Sequence, residues 1–136
     1  MPGMALKAKE FRFAVDLQEG GSVRTEDGTR LEVDRAFSPE HLLLAALVRC
    51  SLTSLRFHAR RTKIEVSDEH GSVRALFTLR ESDNRYAAVE LDVDLSVHLS
   101  PRPGDDALAK LLARAEHDCF VGASLTAKPT YNWTVT

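Results

Sequence analysis

Two cysteines, Cys50 and Cys119, are the residues of this sequence best suited to covalent chemistry. A thiolate is a nucleophile, and two thiols that meet can form a disulfide and later return to the reduced state. Free cysteine is also among the most buried residue types and often acts as a small hydrophobic side chain. The start of the chain lacks the apolar stretch of an export signal, so we expect reducing surroundings and only a transient bond between these thiols.

Two histidines, His58 and His117, lie near the cysteines in sequence, so zinc held by two cysteines and two histidines has to be considered. Cys50 and His58 are about two helical turns apart, unlike the short ligand spacings of structural zinc motifs. This spacing disfavours zinc. We expect no metal and no other cofactor.

The element that must position Cys50 is a predicted helix from Ser38 to about Arg61. Ser38-Pro39-Glu40 combines a hydroxyl cap, a proline at the first helical position and an acid in the first turn. The body of the helix, residues 42–48, is apolar on all sides, which predicts a helix buried all round. So short a chain offers too little cover for such a helix, and a second copy could supply the rest.

Alternating apolar and polar residues predict strands on both sides of this helix. Residues 10–35 are expected to form an antiparallel meander with turns at Gly20-Gly21 and at residues 26–28. After the helix we predict a strand whose apolar face includes Val73, Ala75, Phe77 and Leu79, then a strand over residues 89–98, an amphipathic helix over 104–118 and a closing strand over 131–135. This order predicts an α+β fold with mainly antiparallel sheets in one domain, residues 1–136.

Composition narrows the classes of partner. With 43% hydrophobic and 28% charged residues, the chain resembles an average globular protein. A net charge of -2 with interspersed acids and bases offers no positive field for nucleic acid. No apolar run approaches the roughly 18 residues of a membrane span. We therefore expect a cytoplasmic protein that binds neither nucleic acid nor membrane.

The segments around both cysteines resemble a known family. Residues 38–50, SPEHLLLAALVRC, are similar to the segment of the osmotically inducible protein C and organic hydroperoxide resistance (OsmC/Ohr) family in which a proline-glutamate pair begins a central helix and a cysteine follows ten positions after the glutamate. Residues 115–125, AEHDCFVGASL, resemble the second cysteine segment of the family. The order of strands and helices matches as well, so the resemblance covers nearly the whole chain.

The resemblance implies an intertwined homodimer with sites at the subunit interface and a thiol peroxidase that reduces organic hydroperoxides in oxidative-stress defence. Cys50 matches the cysteine that attacks peroxide, Cys119 the resolving cysteine, and Glu40 an acid that helps position the site. A straight helix separates Glu40 from Cys50 by about 15 Å. Either the helix is broken between them or the acid serves the Cys50 of a second chain.

Two positions depart from the family pattern. Family members commonly have proline directly after the second cysteine, where this chain has Phe120. Members also place an arginine after paired glycines in the first meander, where it bonds to the acid and the attacking cysteine. Arg24 is the nearest candidate for that role here, with Arg30 and Arg35 behind it.

These departures leave other functions open. The first is a peroxidase that draws electrons from a dithiol, for which the family analogy suggests a lipoyl-type reductant. The others are a non-enzymatic binding protein that keeps the fold and a redox sensor that forms a disulfide without turnover.

Overall fold

The computed structural model describes residues 8–136, which divide into two compact units, one ending at Ser38 and one spanning Pro39–Thr136. Together they contain two three-stranded sheets and three helices, so the predicted α+β fold is confirmed. The prediction of a single domain over residues 1–136 stays a prediction.

The first unit is an antiparallel meander of β1 (Val15–Leu17), β2 (Val23–Thr25) and β3 (Arg30–Leu31). Its turns lie at the predicted positions. Gly20 and Gly28 have φ angles of 91° and 89°, in the left-handed region that favours glycine. The strands are shorter than the alternating pattern predicted, because β1 begins only at Val15.

The second unit begins with α1 (Pro39–Arg61). The long strands β4 (Glu65–Arg80) and β5 (Arg85–Ser100) follow as an antiparallel hairpin. The remaining elements are α2 (Asp105–His117), α3 (Phe120–Ser124) and β6 (Thr130–Val135). β6 pairs in parallel with β5, so the sheet order is β4-β5-β6 and the pairing is mainly antiparallel, as predicted.

The core of the second unit lies on one face of β5, where alternate residues are buried from Leu91 to Leu99. Helices α1 and α2 cover this face. Gly71 on β4 lets the helix come close, because a Cβ atom there would lie 2.6 Å from Val48 and 2.7 Å from Leu95.

Helix α1 buries only one of its faces. Its fully buried residues, Leu47, Ser51, Leu55 and Ala59, recur every four positions, and Phe57 is 57% exposed. The single chain therefore leaves part of α1 exposed, and burial on every side by a second copy stays a prediction. The apolar residues on all sides of α1 indicate that its surface must be covered, but they do not indicate whether the same chain or a second copy covers it.

The same helix meets the length and composition of a membrane span, with a mean hydropathy of 1.3 over 18 residues. The expectation that no stretch approaches this length was too strict, because the leucines, alanines and valine of α1 keep the average high although serine and threonine interrupt the apolar run. The core helix of a soluble protein passes the same test, and the buried row of α1 packs into a core.

The predicted apolar face of β4 is interrupted. Val73 and Ala75 pack against the core, but the strand register shifts between Leu76 and Phe77. Beyond this shift Phe77 and Leu79 are exposed, so the single chain buries only the first part of the predicted apolar face.

Candidate active site

The two thiols approach the same short helix from different elements. Cys50 lies in the middle of α1 and is half-buried, whereas Cys119 lies between α2 and α3 and is fully buried. Both are free thiols. The sequence patterns did not predict α3, because five residues are too few for a helical repeat.

Successive amides of α3 bind the two sulfurs. The Val121 amide donates to Cys50 Sγ at 3.4 Å, and the Gly122 amide donates to Cys119 Sγ at 3.3 Å. Cys119 thereby caps α3, a role usually taken by a side-chain oxygen. The arrangement holds both sulfurs against one turn of backbone.

The pKa of Cys50 lies above the ordinary thiol value. Burial is the main cause, and hydrogen bonding with Cys119 raises the pKa further, while the Val121 and Phe120 amides act in the opposite direction. Among the described residues, no cation is a cause of this shift in the pKa of Cys50. The thiol form of Cys50 is therefore favoured until a positive group approaches.

Two hydroxyl groups complete the cluster around Cys119. Ser51 Oγ lies 3.7 Å from Cys119 Sγ and 2.9 Å from the Tyr131 hydroxyl. Burial, with smaller contributions from Cys119 and Glu116, raises the pKa of Tyr131 to about 12. Sequence analysis did not identify either residue. The available signal was a serine within the apolar stretch of α1, next to Cys50.

A carboxylate joins α1 to the segment that carries Cys119. Asp118 accepts from His58 Nε2 at 2.7 Å and from His117 Nδ1 at 2.7 Å. The two histidines considered as zinc ligands thus converge on a carboxylate. These hydrogen bonds, chiefly that from His117, lower the pKa of Asp118.

We expect Asp118→Asn to remove part of the acid sensitivity of the fold. Because the pKa of Asp118 is lowered by folding, its stabilising effect is complete above the ordinary carboxyl value of about 3.9 and is lost as pH falls through the lowered value. The side chain is 46% exposed, so solvent screening keeps the effect below about 1 kcal/mol. Urea unfolding at a series of acidic pH values measures it, with Glu81→Gln in the β4–β5 turn as the control. Equal pH dependence in wild type and Asp118→Asn would contradict this role.

The sequence model of OsmC-like proteins matches residues 32–134, most of the chain. The chain belongs to the OsmC-like protein family. Comparison with curated proteins gave no match.

Solved structures of OsmC-like proteins share the fold at low sequence identity. An OsmC-like protein of unknown function from Vibrio cholerae has a TM-score of 0.71 at 14% identity, covering 93% of this chain and 99% of its own. An organic hydroperoxide resistance protein OsmC from Legionella pneumophila has a TM-score of 0.58 at 18% identity, with coverage of 95% and 99%. The organic hydroperoxide resistance protein OhrB of Bacillus subtilis has a TM-score of 0.53 at 17% identity, with coverage of 92% and 96%.

Within this OsmC-like unit, Glu40 does not reach Cys50. Helix α1 runs without a break from Pro39 to Arg61, so the broken-helix alternative is wrong and about 15 Å of helix separates the two residues. A role for Glu40 at the Cys50 of a second copy stays a prediction.

The candidate arginines lie in the other unit. Arg24 is exposed on β2 and pairs in register with Asp16 and Arg30. Its assignment as the cation of an OsmC-like site stays a prediction, with Arg30 and Arg35 as alternatives. Phe120, which replaces the usual proline, is 56% exposed and begins α3.

Proposed function

We propose that this OsmC-like protein is a thiol-dependent peroxidase that reduces organic hydroperoxides in oxidative-stress defence in the cytoplasm. The observation that carries the proposal is the meeting of its two free cysteines, whose sulfurs accept hydrogen bonds from successive amides of α3. The solved relatives named for organic hydroperoxide resistance support the choice of substrate.

The first half of the cycle consumes the peroxide. The Cys50 thiolate attacks the O–O bond, so an S–O bond forms, the O–O bond breaks and the alkoxide takes a proton to leave as an alcohol. Cys119 then attacks the sulfenic acid of Cys50. An S–S bond forms, the S–O bond breaks and the hydroxide leaves as water. A dithiol, of lipoyl type by family analogy, reduces the disulfide and is itself oxidised to a disulfide.

The first step requires a Cys50 thiolate, which burial disfavours. We assign the missing positive charge to Arg24 and the positioning of that charge to Glu40, as the family pattern implies. A guanidinium close to the sulfur would lower the pKa of Cys50.

The raised pKa of Cys50 favours one alternative, a redox sensor that oxidises slowly and does not turn over. A binding protein that keeps the fold is the other. Steady-state consumption of cumene hydroperoxide in the presence of a dithiol separates the enzyme from both. Many turnovers for each chain are expected of the enzyme, and at most one of the sensor.

We further propose that the protein is a homodimer. The end of the β4–β5 hairpin leaves Leu76, Leu79 and Tyr86 between 47% and 80% exposed, and the first unit exposes Phe13 and Leu17 by 78% and 73%. Large apolar side chains that are exposed close together mark association surfaces. In an isologous interface the same surface of two identical chains pairs, so we propose a second copy of this chain as the partner.

Light scattering should therefore report twice the chain mass of 15.1 kDa. Leu79→Glu, which places a charge on the exposed patch of the hairpin, should shift the protein toward the monomer. Glu90→Gln on the adjacent strand is the control. A folded wild-type monomer at micromolar concentration would contradict the dimer and with it an interface site.

A further inference from the structure

The buried hydroxyl of Ser51 has three partners and a single hydrogen to give. Its Oγ lies 2.8 Å from the Leu47 carbonyl, 2.9 Å from the Tyr131 hydroxyl and 3.7 Å from Cys119 Sγ. A carbonyl can only accept, so the Ser51 hydrogen points to Leu47 and the two lone pairs of Ser51 face Tyr131 and Cys119. In this arrangement both groups donate to Ser51, a role that only the thiol form of Cys119 can take.

Tyr131 is held beside the same sulfur. A Cβ atom placed on Gly122 would lie 3.4 Å from both the Tyr131 hydroxyl and Cys119 Sγ, so the two groups flank one point. Its raised pKa keeps the phenol protonated and able to donate its one hydrogen to Ser51, the hydroxyl that in turn reaches the sulfur. The ring of Tyr131 stacks on Trp133, with centroids 6.1 Å apart, and this stacking keeps the hydroxyl in place.

We infer that Ser51 and Tyr131 hold the Cys119 thiol and then stabilise its thiolate while it attacks oxidised Cys50. This inference rests on the proposed peroxidase function. When Cys119 ionises it can no longer donate, and rotation of the Ser51 hydroxyl turns its hydrogen from Leu47 to the sulfur. The Leu47 carbonyl keeps its helical amide partner, so the rotation leaves no buried group unpaired.

The proton balance of the attack closes within the site. Cys119 gives up one proton, an S–S bond forms to Cys50, the S–O bond breaks and the departing hydroxide takes up one proton to become water. No outside acid or base is consumed. The hydroxyls of Ser51 and Tyr131 lower the free energy of the intermediate thiolate, because a hydrogen bond to a charged group is stronger than one between neutral groups.

The titratable groups around Cys119 do not stabilise its thiolate, so the hydroxyls of Ser51 and Tyr131 must do so. Cys50 faces Cys119 from α1, and Glu116 of α2 acts on Tyr131. Glu116 also accepts from Trp133 Nε1 at 2.9 Å. The residues of β5 packed around Cys119, Leu91, Val93 and Leu95, are apolar. None of these groups offers the thiolate a positive charge.

Two conservative variants test the inference. Tyr131→Phe removes one hydroxyl and keeps the ring that stacks on Trp133, and Ser51→Ala removes the other. Thr53→Ala is the matched control, because Thr53 makes the same bond to the carbonyl four residues back, at 2.8 Å, on the exposed side of α1. Dimedone trapping after one equivalent of cumene hydroperoxide follows the sulfenic acid of Cys50. We expect disulfide closure to slow about tenfold relative to sulfenic acid formation in both variants and to match wild type in the control.

A second readout needs no peroxidase activity. In a Cys50→Ser background Cys119 is the only thiol, and in an ultraviolet titration the absorbance of its thiolate should appear at higher pH in Ser51→Ala and Tyr131→Phe than in Thr53→Ala. Unchanged closure rates together with an unchanged titration would overturn the inference. Loss of sulfenic acid formation in wild type would instead overturn the proposed peroxidase function, so the two failures are distinguishable.

Discussion

Replacing Cys50 with serine is expected to abolish the reaction with organic hydroperoxides. Serine keeps the size and helix compatibility of the side chain at a half-buried position of α1. Its hydroxyl has negligible anionic character near neutral pH and cannot replace a thiolate. Loss of a covalent nucleophile typically lowers the rate by about three orders of magnitude or more. Cys119 is fully buried, so it offers no second point of attack.

Stopped-flow mixing with one equivalent of cumene hydroperoxide measures this effect directly. Wild type should consume the peroxide in a single fast phase, and Cys50→Ser should show only the slow background reaction. Thr53→Ala, on the same helix, controls for a general disturbance of α1. Equal fast phases in wild type and Cys50→Ser would show that the nucleophile is assigned wrongly, and no fast phase in wild type would favour the binding-protein alternative.

The pKa of Cys50 makes the pH dependence of this phase informative. Within the Pro39–Thr136 unit, burial and Cys119 raise the pKa of the Cys50 thiol above its ordinary value. A fast phase that already operates near neutral pH would therefore favour the presence of a positive group beside Cys50 in addition to the groups of this unit. Replacing Arg24, Arg30 and Arg35 one at a time would identify which of them, if any, supplies it.

Local patterns predicted the elements that position the site. The Ser38-Pro39-Glu40 segment marked the start of α1 to within one residue, and strict alternation marked the buried face of β5. Local patterns did not predict that both sulfurs bind successive amides of α3, since nothing in the 69-residue separation of Cys50 and Cys119 specifies contact. That the two thiols act together is what the family resemblance implies, and it stays a prediction. It depends on long-range packing of α1 against the α2–α3 segment.

The features that the sequence did not predict share a physical cause. Helix α3 is too short for periodicity, and its start is capped by a cysteine sulfur instead of the usual hydroxyl or carboxylate. Ser51 and Tyr131 come into contact only because α1 and β6 pack together, and the sequence does not show which partner a hydroxyl will bind. The register shift at Leu76 depends on how β4 pairs with β5, which alternation along one strand cannot reveal.

Replacing Cys119 with serine is expected to separate the two halves of the cycle. A serine hydroxyl is a good helix cap and can still accept from the Gly122 amide, so the fold should lose only about 1 kcal/mol. The Cys50 thiol remains, and one equivalent of peroxide should be consumed as quickly as in wild type. The sulfenic acid of Cys50 then has no neighbouring thiol and accumulates or oxidises further to sulfinic acid.

Turnover with a dithiol should fall by about a hundredfold in Cys119→Ser, because an external thiol at millimolar concentration replaces one held beside the sulfur. Mass spectrometry after one equivalent of peroxide checks the intermediate: wild type should lose two hydrogens as the disulfide forms, and Cys119→Ser should gain oxygen at Cys50. Ser124→Ala is the matched control, since its hydroxyl bonds to the Phe120 carbonyl in the same helix without touching either sulfur. Full turnover in Cys119→Ser would mean that the buried thiol is structural and that an external thiol resolves Cys50.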